Sequence, residues 1–344
     1  MVQIGVGGFG TQWVDAQIAC PRVETVALVD INRKALASAA GRLGVPKQRR
    51  FSKVDDLGRI DFDAAIVCTP PSTRPAIYRT LAQAGKHILT EKPLAESMDQ
   101  ACAALAMKRD SGIHFVVAQN YRYRPAVRAA KRLIASGKYG RPCVCQVDFF
   151  RYPRLRGFRE QMAHPLIIDM SIHHFDLGRF LLGAEPARVV GASWNAPWSV
   201  MSGDASCTLV FEMTHSVRLT YNGSWSTLRP KEHQTTWTGD WTIECERGCV
   251  MIRDDQVRAW RWKLNEEGLP SWAEGEVAEV EESDSEQLQV LNQFLDELSG
   301  GPAAPTGIED NIHSLAMVHA AIEASQTHTS VELQGLLDQS GGAG

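Results

Sequence analysis

The chain has 344 residues, with 36 Lys and Arg against 40 Asp and Glu, for a formal net charge of −4. That total conceals three blocks: residues 1–118 carry 15 basic and 11 acidic groups (+4), 119–160 carry 11 and 2 (+9), and 161–344 carry 10 and 27 (−17). With 44% hydrophobic and 22% charged residues, the composition is that of an ordinary globular protein of roughly two domains. No apolar run approaches the roughly 20 residues of a membrane span. No basic leader or cleavage pattern marks Val2–Gly10 as a signal. The eight cysteines form no C-x-x-C pair, so the sequence reads as a reduced, cytoplasmic chain without a metal knuckle.

The first 118 residues alternate β-type runs with helix-period stretches. Strands are expected at Val2–Val6, Thr25–Val29, Ala64–Cys68, His87–Leu89 and Phe115–Ala118, and helices at Thr11–Ala19, Arg33–Leu43, Arg74–Ala84 and Ser97–Arg109. Such alternation implies a parallel sheet with helices on both faces. Gly85 and Gly112 stand where helix C-terminal glycines belong.

Beyond residue 118 a helix (Pro125–Ala135) leads to a strand (Val144–Phe150), a basic loop and a second helix (Ile168–Leu182). Five β runs follow, Arg188–Trp194, Ala205–Met213, Val217–Trp225, Thr235–Glu244 and Cys249–Trp262, with turn signals at Asn222-Gly223 and Asp254-Asp255. They suggest a large open antiparallel sheet. An acidic stretch (Glu274–Glu286) precedes closing helices at Glu286–Ser299 and Glu309–Ser325, and residues 339–344 read as a frayed end. The fold class is therefore α/β: a dinucleotide-binding domain over 1–118, then an α+β domain over 119–344.

Gly5-Val6-Gly7-Gly8-Phe9-Gly10 follows the first strand and opens the first helix, matching G-x-G-x-x-G. Gly5 permits the tight turn, Gly7 admits a pyrophosphate, and Gly10 allows close helix–strand packing. The helix N-terminus offers N–H groups to phosphate. Asp30 ends the second strand, where a carboxylate accepts the ribose diol and repels a 2′-phosphate, favouring NAD over NADP. Arg33, three residues on, leaves NADP open. A glycine-rich turn without a ligand is the plain alternative.

At the end of the fifth strand stand Thr90-Glu91-Lys92-Pro93-Leu94, where open α/β sheets bind ligands. A lysine there can exchange a proton with a hydroxyl, and burial beside a positive nicotinamide favours the neutral amine that this needs. An isolated E-K-P reads as a surface turn. Farther on, Asp169, His173 and Asp176 share one helical face at D-x-x-x-H-x-x-D spacing. A carboxylate beside an imidazole makes an acid/base unit near neutral pH. A zinc pair lacks a third ligand at telling spacing, and a capped helix with satisfied polar groups is the structural alternative.

The combination resembles the Gfo/Idh/MocA oxidoreductase family, and the resemblance spans nearly the whole chain. Its motifs are the glycine turn, Cys68-Thr69-Pro70-Pro71-Ser72, Glu91-Lys92-Pro93-Leu94-Ala95, Asn120-Tyr121-Arg122-Tyr123-Arg124-Pro125, Gly137-Lys138-Tyr139-Gly140, Asp169–Asp176 and Asp310-Asn311. The resemblance implies NAD(P)-dependent hydride transfer at a hydroxyl or carbonyl carbon of a sugar, sugar derivative or cyclitol. It makes Lys92, Asp169 and His173 the catalytic group. Gly5, Gly7, Gly8, Phe9, Gly10, Asp30 and Arg33 are expected at the cofactor, with Thr69, Pro70, Glu91, Lys92 and Asn120 near its nicotinamide end. Arg122, His164 and Asp176 join the catalytic residues as expected substrate contacts.

Departures from the family pattern are informative. T-P-x-x-x-H ends here in Arg74, and a glycine run ahead of the D-x-x-x-H helix is replaced by Ala163-His164-Pro165-Leu166. His164 thus reads either as a substrate contact or as part of the helix N-terminal region. The loop Arg151–Arg159 concentrates the positive charge, but no nucleic-acid motif accompanies it. It favours an acidic sugar, pairs with the acidic C-terminal half across a subunit contact, or is simply solvated. Trp194, Trp198, Trp225, Trp237 and Trp241 suggest a core or a subunit interface, hence a homodimer or homotetramer through the C-terminal sheet. Two other functions fit the same motifs: a glycosidase or lyase using transient oxidation by NAD, and a non-catalytic dinucleotide-binding sugar sensor.

Overall fold

A computed structural model describes residues 1–153, 157–273 and 275–338. Arg154, Leu155 and Arg156 of the basic loop, Glu274 of the acidic stretch and the end at 339–344 lie outside the described residues. Two compact units emerge. The first holds Met1–Asn120 and Asp284–Ile312, the second Tyr121–Ser283 and His313–Leu337. The expected division at 118 falls two residues from the first boundary, but it does not contain the return of Asp284–Ile312 to the first unit.

The first unit is a six-stranded parallel sheet of β1 (Val2–Ile4), β2 (Ala27–Val29), β3 (Arg50–Phe51), β4 (Ala64–Val67), β5 (His87–Glu91) and β6 (Phe115–Ala118), in the order 3-2-1-4-5-6. Val2 stands opposite both Ala27 and Ala65, placing β1 between β2 and β4. The order reverses there, which opens a crevice at the strands' carboxyl ends. β1, β2, β4 and β6 are buried at every residue, as parallel strands covered on both faces must be. The covering helices are α1 (Gly10–Ala19), α2 (Arg33–Leu43), α3 (Arg74–Gln83) and α4 (Met98–Ser111). Helix ends follow local chemistry: Asn32 accepts the Lys34 and Ala35 amides at 3.0 and 3.2 Å, and Ser97 caps α4. Gly44, Gly85 and Gly112 close the helices at positive φ. The late helix Glu286–Leu298 packs against α1.

The second unit begins with α5 (Pro125–Ala135) and β7 (Pro142–Phe150). A π-helical segment, Leu166–Ser171, runs into α6 (Ile172–Leu182), where one continuous α-helix was expected. The strands are β8 (Pro186–Trp194), β9 (Ser206–Met213), β10 (Arg218–Ser224), β11 (Asp240–Cys245), β12 (Gly248–Arg253), β13 (Gln256–Leu264), β14 (Pro270–Trp272), β15 (Glu276–Val277) and β16 (Val331–Glu332). They form a ten-stranded sheet ordered 14-13-12-11-7-10-9-8-16, with β15 also on β13.

The sheet corrects the expectation in three places. It is mixed, because β10 runs parallel to β7 from Arg218↔Val144 to Ser224↔Phe150. Asn222-Gly223 is no turn but lies inside β10. The run Cys249–Trp262 is two strands, folded at Asp254 and Asp255 with φ of 50° and 56°, the conformation that matches the twist of a two-residue hairpin.

Alternate residues of β7, β9, β10 and β11 point to the helix-covered core, including Val147, Phe149, Phe211, Leu219, Tyr221 and Trp241, all buried. Gly178 lets α6 approach closely, since a Cβ there would stand 2.8 Å from Leu219 Cδ2. Phe175 of α6 meets Phe211 of β9 edge-on at 5.0 Å. Phe211→Ala is expected to destabilise the unit by roughly 3–5 kcal/mol. The check is a lowered denaturant midpoint at unchanged slope.

Candidate active site

In the first unit the glycine turn is built as a cradle. Gly5 adopts φ +87°, and a Cβ on it would lie 2.3 Å from the Cys68 carbonyl oxygen, so β1 and β4 meet there with no room for a side chain. A Cβ on Gly10 would stand 2.4 Å from the Gly5 carbonyl oxygen, while Gly8, at φ +52°, faces open space. Helix α1 starts with no acidic residue in its first turn and no side-chain hydrogen bond at its N-cap, which suits an anion. Asp30 Oδ2 accepts the Val6 and Gly7 amides at 2.8 and 3.1 Å, and Oδ1 accepts the Asn32 amide at 2.7 Å. The expected carboxylate is thus fastened beside the turn. Phe9 and Arg33 are exposed. These groups fit a dinucleotide: an open glycine corner, an uncapped helix start and a ribose-side carboxylate.

Lys92 follows β5, and its bond to Pro93 is cis. Three buried groups hold this loop. Arg74 donates from Nε to the Thr69 carbonyl at 2.8 Å and from Nη1 to the carbonyls of Glu91 and Pro93. The arginine standing where the family pattern has histidine therefore clasps the loops after β4 and β5. Glu91, expected at the cofactor, instead turns inward: its carboxylate accepts Trp13 Nε1 at 2.8 Å and the Lys92 amide at 3.1 Å. Burial raises its pKa, against the opposing charges of Lys92 and Arg74. Tyr78 adds bonds to Thr90 Oγ1 and the Leu94 carbonyl at 2.8 and 3.0 Å. Asn120, another expected cofactor residue, donates to Glu286. Thr69 accepts Thr73 Oγ1 at 2.9 Å, and Pro70 is exposed.

In the second unit Asp169 lies in the π-helical segment and His173 in the first turn of α6. Such single π turns recur at functional sites. Asp169 Oδ2 accepts Arg159 Nε at 2.6 Å. His173 stacks on Tyr121, ring centroids 4.1 Å apart and planes 12° from parallel. The Arg124 guanidinium lies 3.4 Å from the same Tyr121 ring. Tyr121 stands within the Asn120–Pro125 motif, whose pattern alone assigns it no role. The signal was there, an aromatic beside two arginines, though nothing in its spacing points to His173.

Arg122 and Asp176 are corrected as substrate contacts. Arg122 forks onto Asp176 with Nε···Oδ2 of 2.7 Å and Nη2···Oδ1 of 2.6 Å. Ser314 Oγ donates to Oδ1 at 3.0 Å, and the Asp176 side chain is 1% exposed. A carboxylate this buried, with both oxygens already engaged by protein donors, is a structural anchor. His164 also points inward, with Ser193 Oγ at 3.4 Å, Asp204 Oδ2 at 3.6 Å and Gln326 Nε2 at 3.3 Å. Burial lowers its pKa, and Asp204 opposes.

The first unit's strand ends define a dinucleotide-binding protein. Residues 1–119 match the family model described as "Oxidoreductase family, NAD-binding Rossmann fold", and residues 127–251 match the GFO/IDH/MocA C-terminal domain. The chain belongs to the Gfo/Idh/MocA family and is an NAD-binding oxidoreductase. It is similar to scyllo-inositol 2-dehydrogenase (NAD(+)) of Bacillus subtilis (strain 168), 31% identical over 205 residues that cover 56% of each chain. It is 24% identical to D-apiose dehydrogenase of Paraburkholderia graminis, over 97% of this chain and 89% of that one. At about 30% identity the chain spans little more than half the length of the named enzymes it matches. An oxidoreductase from Agrobacterium radiobacter, solved in complex with NAD+, L-tartaric acid and magnesium, shares the fold at a TM-score of 0.88 and 19% identity, covering 98% of both chains. Among the described residues no helix is long and apolar enough to cross a membrane.

His174, next to His173, is fully enclosed. It meets Tyr221 Oη at 3.1 Å and the Trp237 carbonyl at 3.2 Å, and burial lowers its pKa from 6.5 to about 3. The unfolded chain binds a proton here below pH 6.5 while the folded one does not, so stability rises with pH between about 3 and 6.5 and is lost on acidification through that window. His174→Gln is expected to flatten this limb of a stability-versus-pH curve. Parallel acid limbs in the parent and the variant would refute the neutral burial.

Proposed function

We propose that the protein is an NAD-dependent dehydrogenase or reductase of a sugar, sugar derivative or cyclitol. The observation that carries this is the loop after β5, where Arg74, Glu91 and Tyr78 fix the backbone on either side of Lys92. When bound, NAD supplies the hydride acceptor or donor. Lys92 Nζ holds and moves the proton of the substrate hydroxyl. His173, its ring plane set by Tyr121, acts as the acid/base partner, with Asp169 on the preceding turn. Asp30 favours NAD over NADP by repelling a 2′-phosphate. The relatives named for inositol, apiose and 1,5-anhydro-D-fructose support the substrate class.

Lys92→Met is expected to lower hydride transfer by about 10²–10⁴-fold while NADH still binds. The check is NAD reduction against a panel of inositols, aldoses and sugar acids, beside NADH fluorescence titration. Turnover near that of the parent would sink the assignment.

The second part of the proposal is self-association through the β7–β10 region of the sheet. Phe150, Trp194, Trp198 and Leu228 line one hollow with residues of β9 and β10. Trp194, Trp198 and Leu228 are 46, 53 and 67% exposed, and large apolar side chains grouped on a surface mark interaction sites. Trp225 and Trp241, by contrast, are core. Replacing Trp194 and Leu228 together by Ser is expected to shift the protein to monomer in sedimentation or light scattering. An unchanged mass would count against this surface.

A further inference from the structure

A line of buried polar side chains runs beneath the glycine turn of the first unit. Gln3 stands in β1, between β2 and β4, and is fully buried. Its Nε2 donates to the carbonyls of Gly5 and Gly10, at 2.9 and 2.8 Å, and so holds both ends of the turn. Its Oε1 accepts Gln17 Nε2 at 2.6 Å, and the same nitrogen donates to the Trp13 carbonyl at 3.1 Å. Thr25 Oγ1 donates to Gln17 Oε1 at 2.8 Å. The Trp13 indole then donates to Glu91 Oε1, and Glu91 Oε2 accepts the Lys92 amide. The nitrogen and the oxygen of each glutamine amide are both engaged, so neither amide can turn without leaving a buried group unpaired. An apolar side chain at position 3 would suit a central parallel strand with less desolvation. The polar line instead ties three places together: the turn shaped for a pyrophosphate, the first turn of α1, and the loop that bears Lys92.

We propose that this line couples the dinucleotide seat to the catalytic loop: filling the glycine turn orders the backbone around Lys92, with Trp13 and Glu91 as positioning residues. This deepens the reading above and rests on Lys92 as its proton carrier. A fully satisfied buried network has few alternative arrangements, so a constraint at one end is felt at the other. A phosphate on the first amides of α1 fixes the helix start, and Trp13 lies within that turn. Its indole N–H sets the Glu91 carboxylate, and the carboxylate sets the Lys92 main chain. Arg74 grips the same loop by its carbonyls. The Glu91 carboxylate is thus the contact through which the loop's amide side answers to α1.

The test is amide hydrogen exchange with ADP-ribose, which fills the glycine turn and carries no nicotinamide to touch the Lys92 loop. It is used at a concentration that displaces NADH. In the parent, exchange is expected to slow about fivefold or more both in residues 4–13 and in residues 88–95. Glu91→Gln sets an amide N–H against one of two N–H donors, and Trp13→Phe removes the indole donor. Both variants are expected to keep the protection of 4–13 and to lose that of 88–95, with folding checked by circular dichroism. Should Glu91→Gln fail to fold, Trp13→Phe, which keeps a ring in place, carries the test. An unprotected 88–95 in the parent, or protection undiminished in the variants, overturns the coupling. Kinetics give a second readout: each substitution is expected to lower kcat about tenfold with KM within about twofold, and the double variant to lose no more than one of them. Losses that multiply to about a hundredfold would overturn action through a shared line. Exchange is read without turnover, which separates the two ideas. Loop protection without hydride transfer on the substrate panel overturns the dehydrogenase reading and leaves the coupling, whereas transfer with an unprotected loop does the reverse.

Discussion

The buried pair of Arg122 and Asp176 governs the geometry of the second unit's chemistry. Two charges taken out of water cost several kcal/mol each, and attraction offsets that only with good geometry and further hydrogen bonds. Here the guanidinium meets both carboxylate oxygens, Ser314 adds a hydroxyl, and Arg179 stands 3.9 Å from Oδ1. Asp176 lies three residues beyond His173 on α6, so fixing one sets the face of the other. Arg122 follows Tyr121 directly, so the same anchor holds the ring on which His173 stacks. Ten of the eleven residues of α6 are buried. The helix has no alternative seat from which His173 could wander.

The first unit solves a comparable problem differently. Arg74 and Glu91 are both buried, yet neither relies on the other's side chain alone. Arg74 is spent on three backbone carbonyls, and Glu91 takes an indole N–H and a backbone amide. Backbone acceptors that strand β5 leaves behind are thereby satisfied, as buried carbonyls require. The loop is fixed by its main chain, which leaves the Lys92 side chain to its own chemistry. Histidine at position 74 has at most two N–H donors against the five of a guanidinium, so this clasp depends on the family departure.

Local signals were legible wherever local physics decides. Helices α2 and α5 and strand β6 occupy the residues that periodicity assigned, and the Asp254-Asp255 turn folds as its composition suggests. Pairing between distant segments was not legible. Nothing in Arg218–Ser224 announces a parallel partner 74 residues earlier, and an Asn-Gly pair inside that strand mimics a hairpin. The D-x-x-x-H-x-x-D spacing correctly put three polar residues on or near one helix. It assumed α geometry through Asp169, where the chain is π-helical, and it carried no information on which polar residue meets solvent. Asp176 became a structural anchor because a partner 54 residues away reaches it.

The charge blocks resolve in the same way. The collar over 119–160 finds its acids within its own unit: Arg122 on Asp176, Arg159 on Asp169, Arg141 on Glu246, Lys138 on Glu276. All four acids belong to the block of net −17, so part of that asymmetry is intramolecular pairing written along the sequence and needs no subunit contact. The exposed pairs among them add little stability; their value is in cancelling charge. Arg124 and Arg151 of the same collar also meet a hydroxyl, a carbonyl and aromatic faces. A block of like charge along the sequence therefore reports chain order first, and pairing inside one unit has to be subtracted before it implies a partner.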